Sequence, residues 1–276
     1  MKQQVQKILK QTGLYHRLKA SSLYDLYWSL ADKSIIEERR NEVHFYQRLL
    51  EGFPKGGLIF DVGANQGSKS TVFLNLGARV VAVEPDEANQ AILKEMFLTF
   101  RLTKKQLVIV GKALSDRSAV ETMWIDEPGS AKNTLSRKWV DALRSDERRF
   151  GHSLTFGQRK EIETTTLDRL FADFGVPFFI KIDVEGFELS VLKGLSRPVP
   201  FLSFEVNLPE FLPEGLQCVE RLGHLAQQGR FNYVVDCRDG LRLEEWLGAG
   251  EFAKVLGDCK EKSVEIVWKS LVALAG

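Results

Sequence analysis

The chain has 276 residues, of which 44% are hydrophobic and 27% are charged, with 22 glycines and 8 prolines. This composition is typical of a folded globular protein and excludes a disordered, collagen-like or low-complexity chain. The formal net charge is only +1, so no overall field draws the molecule to nucleic acid or to an anionic membrane, and a polyanionic partner would need a local basic patch.

Residues 1–53 are predicted to form an N-terminal helical cap, because apolar and aromatic residues recur at near-helical spacing until Pro54. We expect neither a signal peptide nor a membrane span at the start, and no later stretch has the roughly 18 apolar residues that a span requires. Residues 1–24 contain five Lys or Arg and no acid. A surface helix that touches a membrane or an acidic partner is therefore the alternative to a solvated terminal helix.

The main domain is predicted to span residues 54–276, where short β-rich runs alternate with helical stretches. The predicted strands are Leu58–Val62, Arg79–Val83, Leu107–Val110, 178–184, 201–206, 232–237 and 264–268. The predicted helices are 68–76, 87–102, 187–195, 216–228 and 243–256. This alternation predicts an α/β fold with a mostly parallel sheet and helices on both faces. Residues 126–162 are predicted to be an irregular surface insertion.

The three cysteines, Cys218, Cys237 and Cys259, lie far apart in the sequence. They have neither the spacing of a zinc site nor the density of a secreted disulfide scaffold. We therefore expect reduced thiols and a cytoplasmic protein.

The loop after the first strand contains Asp61, Gly63, Asn65 and Gly67 and leads into the helix 68–76. The two glycines allow a sharp turn and a close approach to a ligand, and the helix start offers unpaired N–H groups. The wide spacing of the glycines does not match the GxGxxG pattern of a dinucleotide site. The loop therefore predicts a site for another small ligand with a polar head.

Positions 63–70 nearly match the phosphate-binding pattern GxxxxGK[ST], with Ser68 in place of the second glycine. Phosphoryl transfer from ATP by Lys69 and Ser70 with magnesium is therefore an alternative function. The carboxylate of Asp61 opposes it, because it would repel a triphosphate but could accept a hydrogen bond from an ammonium group.

The second strand ends in Glu84, followed by Pro85, and this acid lies 17 residues after Gly67. A carboxylate at this position can accept hydrogen bonds from both hydroxyls of a ribose. Loop and acid together predict a pocket for an adenosine that bears an amino acid, namely S-adenosylmethionine. The alternative is that Glu84 only caps the next helix. After the third strand, Ser115 and Asp116 are expected beside the adenine.

Lys181, Asp183 and Glu185 alternate along the strand 178–184, so their side chains are predicted to point to one face. The functional interpretation places Asp183 beside the transferred methyl group, where it orients or deprotonates the acceptor, with Glu185 as the second candidate base. The structural alternative is that Lys181 pairs with a nearby carboxylate. Glu188 is expected to stabilise a helix end.

Glu205 and Asn207 end the next strand and are predicted to hold the acceptor, or alternatively to satisfy backbone groups at the strand end. His152 in the insertion is a candidate substrate-contacting base, although such a histidine is more commonly exposed. No group of His, Cys and acidic residues has metal-ligand spacing, so no structural metal is expected. A transient divalent ion among Asp183, Glu185 and Glu205 is the alternative.

Five sequence blocks, in this order, resemble the FkbM-type S-adenosylmethionine-dependent methyltransferases. They are Asp61-Val-Gly-Ala-Asn-x-Gly67, Val-Glu84-Pro85, Ala113-Leu114-Ser115-Asp116, Thr166-Leu167-Asp168 and Lys181-Ile-Asp-Val-Glu-Gly-x-Glu188. The last block is the most specific, and Gln66 and Lys69 depart from the usual pattern. The resemblance covers about residues 45–207.

This resemblance implies a Rossmann-like class I methyltransferase fold with a seven-stranded sheet whose last strand is antiparallel. It also implies O-methylation of a hydroxyl on a sugar, glycan or natural product. We expect a small-molecule or glycan acceptor, no nucleic acid and no stable membrane insertion. A non-catalytic module that keeps the fold is the remaining alternative.

Overall fold

The computed structural model of the protein describes residues 33–102, 104, 106–145 and 154–271. The predicted cap is therefore described only from residue 33 onward, and the basic segment 1–24 and His152 lie outside the described residues. Within these ranges, no helix combines the length and the apolar character needed to cross a bilayer.

The described residues form nine helices and ten strands. The helices are α1 (Lys33–Leu49), α2 (Ser68–Asn75), α3 (Glu87–Met96), α4 (Leu98–Leu102), α5 (Arg137–Ser145), α6 (Leu167–Phe174), α7 (Glu188–Lys193), α8 (Leu212–Leu225) and α9 (Ala249–Gly257). The strands are β1 (Leu58–Val62), β2 (Arg79–Val83), β3 (Leu107–Val110), β4 (Ala113–Leu114), β5 (Val120–Ile125), β6 (Gln158–Thr165), β7 (Phe179–Ile182), β8 (Phe201–Asn207), β9 (Arg230–Val234) and β10 (Ser263–Lys269).

Seven strands form the main sheet in the order β3-β2-β1-β7-β8-β10-β9. The pairs from β3 to β8 are parallel, whereas β10 runs antiparallel to both β8 and β9. The predicted α/β fold is therefore confirmed, including the seven strands and the antiparallel last strand. All five residues of β1 are buried, as expected for a central strand with helices on both faces.

Alternate residues of the strands face two separate apolar layers. Phe60 packs on the side of α5 to α9, and its neighbour Ile59 packs on the side of α1 to α3. On that second side, the fully buried ring of Tyr46 from α1 lies 5.2 Å from the ring of Phe73 and 5.7 Å from that of Phe179. Helix α1 is therefore part of the core of the main domain.

The predicted helix 87–102 is divided into α3 and α4 at Phe97. This residue leaves the helical conformation, with φ −102° and ψ 25°. Its ring packs over Gly67, where an added Cβ would lie 2.4 Å from a ring carbon. The break therefore places an aromatic side chain beneath the turn that follows β1.

The predicted helix 243–256 begins only at Ala249. The side chain of Asn232 in β9 accepts a hydrogen bond from the N–H of Leu243 and donates one to the carbonyl of Leu243. Leu243 is therefore held beside β9 and is not part of a helix. The remaining predicted elements are present with ends displaced by at most four residues.

The prediction that residues 126–162 are irregular is wrong. They contain α5 and the first part of β6, which pairs antiparallel with β5 and parallel with β4 in a three-stranded sheet. Trp139, Val140 and Leu143 of α5 are buried in the main core. Their helical spacing is a signal that the sequence interpretation overlooked.

Candidate active site

A cavity of about 750 Å³, part of which is open to solvent, lies at the sheet edge where the parallel strands end. Its walls come from the segments that follow β1, β2 and β7, from the start of α3 and from residues 130–135. Ligands of open α/β sheets bind at this edge. This cavity is therefore the candidate active site.

The turn after β1 brings Gly63 and Asn65 to the cavity wall. Both have left-handed backbone conformations, with φ of 80° and 47°. A Cβ on Gly63 would lie 1.7 Å from the carbonyl oxygen of Asp183, so glycine is required at this close approach. The N–H groups of Gly63 and Ala64 both donate to the carbonyl of Val83, which ties the turn to β2.

Glu84 lines the cavity at the end of β2, with only 5% of its surface exposed. Its Oε2 accepts the N–H of Asn65 at 2.7 Å, and its Oε1 accepts the N–H of Asp86 at 2.8 Å. Burial raises the pKa of Glu84 to about 7 against the effect of these hydrogen bonds. The helix-capping alternative is wrong, because Asp86 caps α3 by accepting the N–H of Ala88.

Asn89 also lines the cavity, beside the predicted residue Pro85. Its side chain is buried, and its Oδ1 has no hydrogen-bond partner within the part of the chain that the structure describes. The sequence did not indicate this residue, because a polar side chain in the first turn of a helix is usually exposed. Asn89 is an acceptor that can pair with a bound ligand.

Four residues predicted to bind the cofactor do not line the cavity among the described residues: Asp61, Gly67, Ser115 and Asp116. Asp61 is buried behind the turn and accepts a hydrogen bond from Ser70 at 2.5 Å. Burial raises the pKa of Asp61 to about 6. The structure therefore places Asp61 where it supports the turn from below.

The other three lie further from the wall. Gly67 is enclosed by side chains of α3 and by Phe97. Ser115 is buried and donates its N–H to the carbonyl of Thr165, and the half-exposed Asp116 pairs with Arg117.

The two residues that carry the phosphate-binding alternative face away from the cavity. Lys69 forms an ion pair with Glu42 of α1, and Ser70 donates its hydroxyl to Asp61. Neither belongs to the cavity wall. The structure therefore does not support phosphoryl transfer by this loop.

Of the three alternating charges, the structure brings together Lys181 and Asp183. Strand β7 ends at Ile182, and the buried Nζ of Lys181 lies 3.4 Å from Oδ2 of Asp183 and 3.8 Å from Oε2 of Glu265. Burial alone would lower the pKa of Lys181, but the surrounding carboxylates raise it above its usual value. The predicted structural pairing of Lys181 with a carboxylate is therefore present, and Lys181 itself does not reach the cavity wall.

Asp183 lines the cavity, and 39% of its side chain is exposed. Burial opposes its ionisation, but the charge of Lys181 and a hydrogen bond from Glu205 hold the pKa of Asp183 below its usual value. Glu205 accepts the hydroxyl of Ser263 at 2.6 Å, and burial together with the charge of Asp183 raises the pKa of Glu205 to about 7. Among the described residues, Glu205 and Asn207 do not belong to the set that lines the cavity.

Glu185 also lines the cavity, but its side chain turns away from Asp183 and toward α5. Its Oε2 accepts the indole N–H of Trp139 at 2.8 Å, and its Oε1 lies 3.5 Å from Nζ of Lys132. Burial raises the pKa of Glu185. The prediction that Lys181, Asp183 and Glu185 point to one face is therefore wrong for Glu185, because β7 ends before it.

Glu188 supports the same turn from inside the core. Its Oε1 accepts the N–H groups of Val184 and Gly186 at 3.1 and 3.3 Å. Burial raises the pKa of Glu188 to about 8. Glu188 therefore contacts the turn that carries Asp183 and Glu185, in addition to its predicted role at a helix end.

Residues 129–135, called the strap below, cover the cavity between β5 and α5. Five of them line it: Ser130, Ala131, Asn133, Thr134 and Leu135. The strap falls in the segment predicted to be irregular, so none of its residues was a candidate. Among the described residues, no group of three or more His, Cys or acidic side chains is arranged to hold a metal ion.

The strand order and the cavity at the carboxyl edge of the sheet define a Rossmann-like fold. A family model described as the methyltransferase FkbM domain matches residues 61–228. The chain therefore belongs to the FkbM methyltransferase family, as the sequence resemblance predicted. Membership of this family implies S-adenosylmethionine as the cofactor.

Two solved structures are similar to the chain at low sequence identity. Methyltransferase FkbM from Methylobacillus flagellatus KT is 15% identical, with a TM-score of 0.52 over 83% of this chain and 47% of that chain. The S-adenosylmethionine-dependent O-methyltransferase of Thermotoga maritima is 11% identical, with a TM-score of 0.41 over 85% and 66%. This chain thus spans about half the length of the first protein. No curated protein sequence matches the chain.

Proposed function

We propose that the protein transfers a methyl group from S-adenosylmethionine to a hydroxyl of a sugar, glycan or other natural product. The observation that carries this proposal is the placement of two carboxylates, Glu84 and Asp183, on the wall of one cavity at the carboxyl edge of the sheet. Glu84 is proposed to bind the ribose of the cofactor, and Asp183 to act on the acceptor.

The polar groups of the cavity wall fit this cofactor. Glu84, Asp183 and Oδ1 of Asn89, which has no partner among the described residues, are all hydrogen-bond acceptors. A nucleoside with an ammonium and a sulfonium group offers hydroxyl and amino donors and positive charge. A triphosphate offers acceptors and negative charge, which this wall would repel. The acceptor-rich wall therefore supports the adenosine ligand over ATP.

The remaining predicted cofactor residues are proposed to act from behind the wall. Gly63 and Asn65 shape the turn, and Asp61 and Gly67 support it from the strand and helix below. Ser115 and Asp116 follow β4, whose residues Ala113 and Leu114 do line the cavity. Their contribution is to place this β4 segment beside the ligand.

S-adenosylmethionine supplies an activated methyl group, whose transfer leaves the acceptor oxygen with a proton to lose. Asp183 is proposed to orient the acceptor hydroxyl and to take this proton on its carboxylate. The lowered pKa of Asp183 keeps this carboxylate ionised at neutral pH, and an alkylated hydroxyl is acidic enough for a weak base to deprotonate it. Lys181 positions Asp183 from below.

Alignment and exclusion of water are expected to matter more for the rate than acid or base strength. The strap supplies the cover over the cavity. Behind Asp183, Glu205 is proposed to hold a proton near neutral pH and to donate a hydrogen bond to Asp183, which keeps its carboxylate oriented.

A small-molecule or glycan acceptor in the cytoplasm is part of the proposal. The net charge of +1 supports an acceptor that is not a polyanion. All three cysteines are described and are free thiols, which supports a reducing compartment.

The test is incubation of the protein with methyl-labelled S-adenosylmethionine and panels of hydroxylated glycans, small natural products and RNA, followed by mass spectrometry. We expect label as a methyl ether on a glycan or small molecule, and none with the Asp183→Asn variant. Label on nitrogen or carbon, or label on RNA alone, would contradict the proposed acceptor class.

A further inference from the structure

The strap is fastened at both ends of the cavity, and its first attachment is Asp86. Oδ2 of Asp86 accepts the N–H of Gly129 at 2.9 Å and the side-chain amide of Asn133 at 2.7 Å. Asp86 is itself buried and held at the start of α3. One end of the strap is therefore fixed to the β2 side of the cavity.

The second attachment is Glu185, on the β7 side. Thr134 donates its hydroxyl to the carbonyl oxygen of Glu185 at 2.7 Å. The carboxylate accepts the indole N–H of Trp139 at 2.8 Å and lies 3.5 Å from the ammonium group of Lys132. Three side chains from the strap and from α5 thus converge on one residue.

The contacts, exposure and backbone conformation of Glu185 favour a structural role over a role as a catalytic base. Both of its carboxylate oxygens are engaged, only 14% of its side chain is exposed, and its φ is 54°, which L side chains rarely adopt. Asp183, two residues earlier, is the more exposed carboxylate and lies against Lys181. A group that exchanges protons with an acceptor needs access to it, and 39% of the Asp183 side chain is exposed against 14% of the Glu185 side chain.

We propose that Glu185 is a positioning residue that fastens the strap over the cofactor cavity, through Trp139 and Thr134, and is not a second catalytic base. The inference deepens the proposed function and rests on the cavity being the cofactor site. It is independent of the identity of the acceptor.

The test uses S-adenosylhomocysteine, which binds without an acceptor, and measures its dissociation rate from the full-length chain by stopped flow. In Glu185→Ala we expect dissociation to be about tenfold to hundredfold faster, the range for a lost hydrogen bond to a charged group. Glu185→Gln keeps an acceptor for the indole N–H, so we expect its rate to stay within about threefold of the wild-type rate. The rescue by Glu185→Gln distinguishes a residue that fastens the strap from a catalytic base. Loss of a catalytic base would leave the dissociation rate unchanged in both variants.

Thr134→Val removes only the hydroxyl and is the second variant, in case Glu185→Ala does not fold. It is expected to accelerate dissociation, because it removes the hydrogen bond of the strap to the carbonyl oxygen of Glu185, a contact that Glu185→Ala leaves in place. Glu214→Ala is the control: Glu214 pairs with Lys138 of α5 at 2.6 Å, away from the cavity, and its loss should leave dissociation unchanged.

Wild-type dissociation rates in both Glu185→Ala and Thr134→Val would overturn the inference. Hydrogen exchange of the strap amides provides a readout without any ligand. Exchange of residues 129–135 is expected to be faster in Glu185→Ala than in the wild type and in Glu214→Ala. If the wild type does not bind S-adenosylhomocysteine, the proposed function fails. Unchanged hydrogen exchange of residues 129–135 in Glu185→Ala would separately refute the fastening of the strap by Glu185.

Discussion

Replacement of Glu84 by Gln tests the assignment of the cofactor site most directly. The two oxygens of Glu84 accept two backbone N–H groups, from Asn65 and Asp86. A glutamine has only one acceptor oxygen, so its amide nitrogen would face one of these N–H groups. A hydrogen bond to a charged group contributes about 1.5 to 3 kcal/mol. Since about 1.4 kcal/mol corresponds to a tenfold change, we expect affinity for S-adenosylhomocysteine to fall about tenfold to 150-fold.

Isothermal titration calorimetry with S-adenosylhomocysteine measures this change. Glu87→Gln is the matched control, because Glu87 does not line the cavity, is 77% exposed and pairs with Lys160. It should bind with wild-type affinity. Equal affinity of Glu84→Gln and wild type would refute the placement of the ribose at β2.

The raised pKa of Glu84 gives the same experiment a second readout. A ligand that donates hydrogen bonds to the carboxylate binds the ionised form more tightly, so affinity is fully present above about pH 7 and falls as the pH drops below it. The limit is about tenfold per pH unit for one group. Glu84→Gln should lack this dependence, and a wild-type affinity that rises on acidification would contradict the reasoning.

Three further predictions concern the turns around the cavity. Asp183→Asn should lower kcat about a hundredfold or more while S-adenosylhomocysteine affinity stays within about threefold, and unchanged turnover would remove Asp183 from the mechanism. Burial raises the pKa of Glu188 from 4.5 to about 8, so the native state retains a proton that the unfolded chain loses and wild-type stability should fall as the pH rises through this window. The expected loss in the free energy of unfolding is about 5 kcal/mol at most, and Glu188→Gln should not show it in urea unfolding. Unfolding free energies that change with pH in the same way in both proteins would contradict this prediction. Gly63→Ala should prevent folding or binding, because its Cβ would meet the carbonyl oxygen of Asp183. Gly250→Ala is the control and should be tolerated, because the added carbon meets nothing within 4 Å. A stable Gly63→Ala protein that binds the cofactor would contradict the close approach of Gly63 to Asp183.

The sheet could be predicted from the sequence because its central strands are buried on both faces. The central strands β1 and β2 have the predicted bounds, since continuous apolar runs between polar turns have few other interpretations, and the partly exposed edge strand β3 has them too. The ends of β1 and β2 also placed Gly63 and Glu84 at the cavity, since parallel strands bring their carboxyl ends to one edge.

Residue type and spacing did not determine where the side chains point. Asp61 lies within β1 and not after it, so its carboxylate projects from the face of the sheet toward Ser70 of α2. The turn after β7 begins at Asp183, and the alternation predicted for a longer strand therefore fails at Glu185.

The strap could not be found from local patterns, because its contacts join distant parts of the chain. Trp139 and Glu185 are 46 residues apart, and Asn133 and Asp86 are 47 apart. The same holds for Asn89, whose burial results from the fold and not from its place in a helix. Only contacts in three dimensions identify these residues.

Because of the position of β10, the residues that match the family model do not include all the strands of the main sheet. The family match ends at residue 228, before β9 and β10, yet β10 inserts between β8 and β9 and pairs with every residue of β8. The match also begins after α1, which covers the rings of Phe73 and Phe179. A fragment trimmed to residues 61–228 would therefore expose an open strand edge and an aromatic surface, both of which promote aggregation.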